Sequence, residues 1–441
     1  MDIAKAGTYD VVVVGSGAAG ATAAIASALA GADTLLIEKL PFLGGNSTAV
    51  LDTFYGFYTP GARARKVVGG IADAVVDGLQ VLGPVIERPN TYGAGTGVTY
   101  VADHLKIVWE DLVLASGAKV MLHAFVQAVT VSDGRVDSLV VATKAGLVSV
   151  SATVIVDASG DGDVVHHAAM GYETAGVSGP AQTLTTTFRM ANVNQPRRAT
   201  VSKEELHRLM QDAARSGDYD LPRREGSDHI TPIDQVTATV MTRVEHVQQV
   251  EGAVANATHP DILTSAEIEG RRQALEYARF LVDRVPGYEH AALVAMSTQI
   301  GLRETRRVYG DYRLTRDDVL SARQFPDQIG LCGAPIEDHH GAGAGTTWEY
   351  LPEGAAVGIP LRTLVVRDGV NILVAGRCFS ATHDAQASVR SMAQCMAMGQ
   401  AAGTSAALAA AGDGAIRSVR FDQLRDHLID EAAIIDMEQV R

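Results

Sequence analysis

The segment Gly15-Ser16-Gly17-Ala18-Ala19-Gly20 constrains this chain more than any other. It follows the unbroken run Val11-Val12-Val13-Val14 and opens the alanine-rich stretch Ala18 to Leu29. Gly31-Ala32-Asp33 closes that stretch, and Thr34-Leu35-Leu36-Ile37 reads as a second strand ending at Glu38. A continuous β-branched run is what a parallel strand covered on both faces requires. The order strand, glycine turn, helix, strand therefore predicts one βαβ unit whose turn holds a dinucleotide. Gly15 permits the tight turn, Gly17 lets the backbone approach a pyrophosphate, and Gly20 lets helix and strand pack closely. The helix N-terminus offers N–H donors and partial positive charge to the phosphates. Glu38 lies 18 residues beyond Gly20, near the ~20 expected of an acidic ligand to ribose hydroxyls. The alternative is a glycine turn in an ordinary βαβ unit.

Composition narrows the function classes. The chain has 441 residues, with 51 acidic and 37 basic side chains and a net charge of −14. That balance argues against a nucleic-acid surface, which needs a basic stripe. Apolar residues make up 47 %, enough for a large core in two or three domains. Cys332, Cys378 and Cys395 form no CxxC pair, so neither a metal site nor a dithiol redox centre is expected, and the usage fits a reducing, cytoplasmic setting. The apolar run Val11 to Ala30 is interrupted by Gly15, Gly17 and Gly20 and is mostly alanine, which predicts no membrane span. No basic segment precedes it, so a signal peptide is not expected either.

Farther along, Ala102 to Ser116 has a helical pattern, and Lys119 to Thr130, Val136 to Thr143 and Leu147 to Val156 read as strands. The middle, from about 172 to 360, is more polar. Thr183 to Met190 and Val236 to Val244 are expected strands there, and Thr264-Ser265-Ala266-Glu267 is expected as a capping box opening a helix to about Asp283. Leu361 to Val366 and Asn371 to Ala375 read as strands, followed by a long helix from about Val389 to Ala411. The expected fold is α/β: a Rossmann-like nucleotide domain in two parts, 1–171 and 361–441, with an inserted α+β substrate domain at 172–360.

FAD and NAD share the first fingerprint, and the following residues separate them. After Glu38, the segment Leu43-Gly44-Gly45-Asn46-Ser47-Thr48 provides a second close approach to a long cofactor. The segment Val154-Ile155-Val156-Asp157-Ala158-Ser159-Gly160 resembles the strand-then-ATG segment of glutathione-reductase-like flavoproteins, with Ser159 where Thr is usual. Val374-Ala375-Gly376-Arg377, Arg390-Ser391-Met392 and Gly399-Gln400-Ala401-Ala402-Gly403 are similar to their C-terminal flavin-binding segment. Ile300-Gly301-Leu302-Arg303-Glu304-Thr305-Arg306-Arg307 carries an IGxRExRR pattern, with Asp338-His339-His340-Gly341 and Ile359-Pro360 beyond it. On these motifs the chain resembles the FAD-dependent oxidoreductases of the branch related to fumarate reductase flavoproteins, over nearly its whole length.

The resemblance implies FAD as cofactor and implies its contacts. Gly15, Ser16, Gly17, Ala18, Ala19 and Gly20 would lie at the pyrophosphate, and Glu38 and Lys39 at the adenosine ribose. Gly45, Asn46, Ser47 and Thr48 would follow the diphosphate and flavin, and Val126 would meet adenine through its backbone. Ala158, Ser159 and Gly160 come next, and Gly376, Arg377, Arg390 and Met392 lie at the flavin end. There is no second GxGxxG for a pyridine nucleotide, since Gly93 to Gly97 and Gly341 to Gly345 have the wrong spacing.

The expected reaction is hydride transfer from a small organic substrate to the flavin. Reduction of an activated C=C bond, or a redox-neutral use of the flavin, stand as alternatives. His383 and His340 are the candidate bases and Arg303 the candidate carboxylate clamp, because His moves protons near neutral pH and Arg binds carboxylates in a fork. Each histidine could equally serve as a cap or core hydrogen bond, and Arg303, Glu304, Arg306 and Arg307 could form a buried ion-pair network. Phe54-Tyr55-Gly56-Phe57-Tyr58 would wall a substrate pocket or pack in the core. The electron acceptor, a homo-oligomer and covalent flavin attachment are left open.

Overall fold

A computed structural model describes residues 3–88, 97–339 and 345–440. The elements that matter for the site are β1 (Ala4–Val14), α1 (Ala18–Leu29), β2 (Thr34–Ile37), β3 (Lys119–Met121), β4 (Phe125–Ser132), β5 (Arg135–Thr143), β6 (Gly146–Asp157), β7 (Phe188–Ala191), α2 (Lys203–Ser216), β8 (Ser227–Ile230), β9 (Thr237–Val240), α3 (Pro260–Arg284), β10 (Ala292–Met296), β11 (Ile372–Val374), α4 (His383–Val389) and α5 (Met392–Ala410).

The main sheet runs β3-β2-β1-β6-β5-β4, and β11 pairs with the second half of β6. The pairings of β1 with β2 and β6, of β2 with β3, and of β6 with β11 are parallel, as in a Rossmann-type sheet. The β4–β5–β6 meander is antiparallel. Register places Val11 opposite Thr34 and Val154, and Val14 opposite Ile37 and Asp157. The valine run serves both faces by its two-residue period. Val11 and Val13 join one hydrophobic cluster with α1 and α5, while Val12 and Val14 join another with β4 and β5. All four are nearly fully buried, and each side chain so buried contributes roughly 1.5–3 kcal/mol.

Helix α1 is buried along Ala18 to Ser27 because its residues are small. It packs directly on α5. A Cβ at Gly399 would stand 2.1 Å from the Ala19 carbonyl oxygen, and one at Gly403 would stand 2.2 Å from that of Ala23. Only glycine permits such a helix approach. Asn371 ties β11 into the sheet: its Nδ2 donates to the carbonyls of Val136 and Thr153 at 2.9 Å each, and its Oδ1 accepts from Val136 N at 2.8 Å.

A four-stranded antiparallel sheet, ordered β8-β9-β7-β10, comes from the middle of the chain. Helices α2 and α3 pack with it around Phe188, Met190, Met210, Tyr277 and Phe280, in a cluster separate from the two above. Helix α2 buries Leu206, Met210 and Ala213 and exposes its charges, including the Arg208 pairs with Glu205 and Asp212.

Several boundaries differ from the sequence expectations. Helix α3 starts at Pro260 with His259 as its cap, so Thr264–Glu267 is mid-helix and Ser265 Oγ donates back to Ile262 O. Proline at the first helical position fixes an earlier start than the capping pattern suggests. Leu361–Thr363 is a short 3₁₀ turn rather than a strand, and the expected strands 183–190 and 236–244 shorten to β7 and β9. The expected C-terminal helix is present as α5, and the short helix α4 before it, ending at Val389, was not expected. Phe54 and Phe57 are core residues, the Phe54 ring lying 4.4 Å from that of Tyr100. His340 and the stretches 89–96 and 341–344 lie outside the described residues.

Candidate functional site

The carboxyl ends of β1, β2, β6 and β11 open into one groove of about 1220 Å3, counting the solvent at its mouth. Each fingerprint glycine has a distinct steric reason. Gly15 has φ +89°, and a Cβ there would lie 2.6 Å from Ala158 O. A Cβ on Gly20 would lie 1.8 Å from Gly15 O, so Gly20 serves the helix–strand contact and does not line the groove. A Cβ on Gly17 would meet nothing within 4 Å and would enter open groove space. Gly17 also caps α1 without any side-chain hydrogen bond, leaving the helix N-terminus to an external acceptor.

Glu38 is buried beside this turn. Its Oε2 accepts from Ser16 N at 2.7 Å and Ser16 Oγ at 2.6 Å, and its Oε1 accepts from Leu40 N at 2.8 Å. The second glycine segment stacks on the first: Gly44 N donates to Ser16 O, and Gly45, at φ +52°, approaches Gly17 Cα. Ser16, Ala18, Ala19, Lys39, Asn46 and Ser47 line the groove with them. Thr48 does not; its hydroxyl donates to Leu43 O inside the short helix Asn46–Ala49. Val126 lines the end near Glu38, and Ala158, Ser159 and Gly160 line the floor beyond β6. Gly376, Arg377, Arg390 and Met392 line the far end, where α5 begins with no side-chain cap.

Charge within the groove is organised by Asp161, which lies in the flavoprotein-like segment Val154 to Asp163 but to which the sequence assigned no role. It accepts from Arg377 Nη2 and Thr305 Oγ1, both at 2.7 Å. Burial alone would raise its pKa, but Arg377 and Lys39 overcome this and hold it at about 2. Arg390 Nη2 donates to Gln182 Oε1 at 2.8 Å, while its buried Nε has no partner among the described residues. Gln299 and Leu302 from the middle of the chain close the far wall, and Gln299 Nε2 donates to Asn46 Oδ1 at 3.4 Å. Lys39, Arg377 and Arg390 were expected at the cofactor, and Asp161, Leu302 and Thr305 lay in segments already singled out but without a role there, whereas Gln182 and Gln299 stand singly with no local signal.

Behind this wall the IGxRExRR segment separates into parts. Arg307 Nη1 lies 2.5 Å from Glu304 Oε2, Arg306 lies 3.0 Å from Asp163, and Arg307 also pairs with Glu173. Glu304 further accepts from Gln182 N at 2.7 Å. Arg303 instead donates to Thr183 O at 2.6 Å and Thr185 Oγ1 at 2.7 Å. His383 is clamped between two carboxylates, with Nδ1 2.9 Å from Glu304 Oε1 and Nε2 3.1 Å from Asp338 Oδ1. Burial works against its charge, but the hydrogen bonds to Asp338 and Glu304 raise its pKa to about 9. At neutral pH it is an imidazolium, able to give a proton rather than take one, and it does not line the groove.

A sequence model of the family described as FAD dependent oxidoreductase matches residues 10–428. The chain belongs to that family. As an FAD dependent oxidoreductase it is an enzyme with FAD as cofactor. Over 60 residues it is 45 % identical to a fumarate reductase (cytochrome) of Shewanella frigidimarina, covering 14 % of this chain and 10 % of that protein. Over 40 residues it is 58 % identical to an NADH:fumarate oxidoreductase of Klebsiella pneumoniae (strain 342), covering 9 % and 4 %. The chain thus spans a tenth or less of the curated relatives it matches. Among solved structures it is similar to a geranylgeranyl bacteriochlorophyll reductase-like protein of Thermoplasma acidophilum, at 16 % identity and TM-score 0.48, covering 97 % of this chain and 84 % of that one. It is also similar to the OxyS anhydrotetracycline hydroxylase of Streptomyces rimosus, at 13 % identity and TM-score 0.46, covering 96 % and 66 %.

The groove fits FAD on its own features: an uncapped helix N-terminus, a glycine whose missing Cβ leaves space, and a buried Arg390 Nε–H without an acceptor. Among the described residues no helix is long and apolar enough to cross a membrane.

Proposed function

We propose that this FAD dependent oxidoreductase transfers a hydride between a small organic substrate and FAD lying along the groove, with oxidation of an alcohol, amine or CH–CH unit as the leading direction. In this reading Gly15 to Ala19 and Gly45 hold the diphosphate, Glu38 and Lys39 the ribose, and Val126 the adenine. Ala158 to Gly160 form the floor, and Arg377, Arg390 and Met392 meet the flavin. Bound FAD supplies the two-electron acceptor; the chain supplies position and charge. The nucleotide domain is of glutathione-reductase type, formed by 1–171 and 361–441, with 172–360 inserted as substrate domain.

The observation that carries this reading is the composition of the far wall. The groove that starts at the β1 turn ends against Gln299 and Leu302, next to Arg303. A substrate held by the middle segment would therefore face the cofactor's reactive end. Arg303 belongs to substrate binding and His383 to positioning: its clamped charge fixes Glu304 and Asp338. Catalysis by His340 remains part of the proposal.

A second reading, reduction of an activated C=C bond, is favoured by the cationic character of the wall, since cations stabilise the negative charge that builds on a reduced acceptor. Anaerobic mixing of the yellow holoenzyme with a panel of alcohols, amines and organic acids tests both. Bleaching of the oxidised enzyme supports the oxidative direction. Reoxidation of chemically reduced enzyme by an unsaturated acid supports the reductive one, and failure of every compound in both directions overturns the hydride reading.

A further inference from the structure

A second cavity lies beside the groove. It encloses about 840 Å3, counting the solvent at its mouth, between the short helix Asn46–Ala49, the start of the helix Ala102–Ala115 and the four-stranded sheet of the middle segment. Among the described residues none lines both spaces. Neighbours in the chain divide between them: Ser47, Leu51 and Gln299 line the groove, and Thr48, Asp52 and Thr298 line the cavity. The partition is therefore a single layer of backbone.

Arg189, from β7, lines this cavity with its donors unused. Its side chain is only 27 % exposed. Among the described residues it makes no hydrogen bond, and its closest carboxylate oxygen is Asp52 Oδ2, 3.8 Å from Nε. The other charges nearby hold one another. Lys106 Nζ lies 2.8 Å from Asp103 Oδ1, and Asp52 Oδ1 lies 2.9 Å from His229 Nε2. Ser297 also lines the cavity, and its buried hydroxyl has no partner among the described residues. The helix Ala102–Ala115 begins at the same wall with no side-chain cap, so its first N–H groups lack intrahelical acceptors. Ala49, Val50, Ala295 and Met296 make the rest of the wall apolar.

A guanidinium keeps its charge and presents five N–H donors in a planar fork. Asp52 approaches the Nε side, which leaves the two Nη groups for an acceptor from outside the chain. Charge-assisted hydrogen bonds of this kind favour oxygen anions. We propose that the cavity binds a small oxyanion, a carboxylate or a phosphate, at Arg189, Ser297 and the N-terminus of the helix Ala102–Ala115, as a second ligand separate from FAD. The site goes beyond the hydride-transfer reading and is independent of its direction. Its occupancy reaches the flavin groove through the partition. Tyr100 Oη donates to Ser47 O, and Thr298 N donates to Ala49 O, both at 2.7 Å. An anion beside these residues bears on the short helix that carries Asn46 and Ser47 into the groove.

The test titrates oxidised holoenzyme separately with inorganic phosphate and with butyrate, at constant ionic strength. At least one should bind saturably by calorimetry and shift the visible flavin bands. Tighter phosphate identifies an inorganic or phosphorylated ligand, and tighter butyrate an organic acid whose chain lies on Val50 and Met296. Arg189→Gln should weaken the bound anion about tenfold or more, the scale of a lost charge-assisted hydrogen bond, and Arg189→Lys should restore part of the loss. Lys119→Gln, on the exposed far edge of the main sheet, should change nothing. Should Arg189→Gln not fold, the anion should still protect Arg189 of the wild type from phenylglyoxal, read by peptide mapping. Absence of saturable binding of both anions, wild-type affinity in Arg189→Gln, or unprotected Arg189 at saturating anion would each overturn the proposal.

Discussion

Replacing His383 by Gln separates a clamped cation from an ordinary histidine. The ring lies between Glu304 and Asp338 at 2.9 and 3.1 Å, and its pKa of about 9 stands above the 6.5 of a free imidazole. A tenfold difference in proton affinity is about 1.4 kcal/mol, so the folded state gains on the order of 3 kcal/mol from the proton. The sign follows from the direction: the folded pKa is raised, so the contribution is complete below pH 6.5 and is lost as pH rises through 9. Urea unfolding of wild type and His383→Gln, at saturating FAD, should show a stability gap at pH 6 that shrinks by roughly 2–3 kcal/mol at pH 9.5. A histidine ¹⁵N titration of the wild type should show the same ring protonated to about pH 9. A gap that does not change with pH, or a ring that titrates near 6.5, would refute the reasoning.

The fingerprint glycines should respond oppositely to one added methyl group. Gly17→Ala should leave apoprotein stability within about 0.5 kcal/mol and lower FAD affinity at least tenfold, whereas Gly20→Ala should cost about 3 kcal/mol or more by overpacking, both read by thermal melts with and without FAD. Glu38→Ala leaves the Ser16 and Leu40 N–H groups without their acceptor; it should cost about 2 kcal/mol in the apoprotein and raise the FAD dissociation constant in a fluorescence titration. Asn371→Ala removes three hydrogen bonds that join β11 to β5 and β6. It should cost about 2–4 kcal/mol by urea denaturation while the folded fraction still takes up FAD.

The nucleotide fold was legible because its signals are local. A β-branched run, three glycines and one glutamate at fixed spacing define the βαβ unit: Gly15 makes the turn and Gly20 the helix–strand contact expected of them, and Gly17 borders open groove space. The second glycine segment and the Gly376–Met392 region were legible as local motifs and line the same groove. Arg303 and Arg390 were singled out separately, but their grouping with Arg223 and Arg243 near His339 was not legible, because the four come from separated segments that no spacing rule joins. The helix cap at Thr264 was misplaced because the chain offered a stronger start at Pro260, and a local motif yields when the packing of Ile262 and Ala266 extends the helix. Helix α4 was missed because its seven residues are too few to show a period, whereas α5 begins within three residues of the expected start and turns its N-terminus to the groove.

The contact of Gly399 and Gly403 with the backbone of Ala19 and Ala23 has a consequence for biosynthesis. The glycine turn after β1 is synthesised long before the surface that seats its helix, which arrives only with Met392–Ala410. Nascent chains that stop short of that helix keep an alanine face without cover, so they should be chaperone clients that do not retain the coenzyme. Flavin loading is thereby tied to synthesis of that helix, and a message cut short before it yields no partially active product.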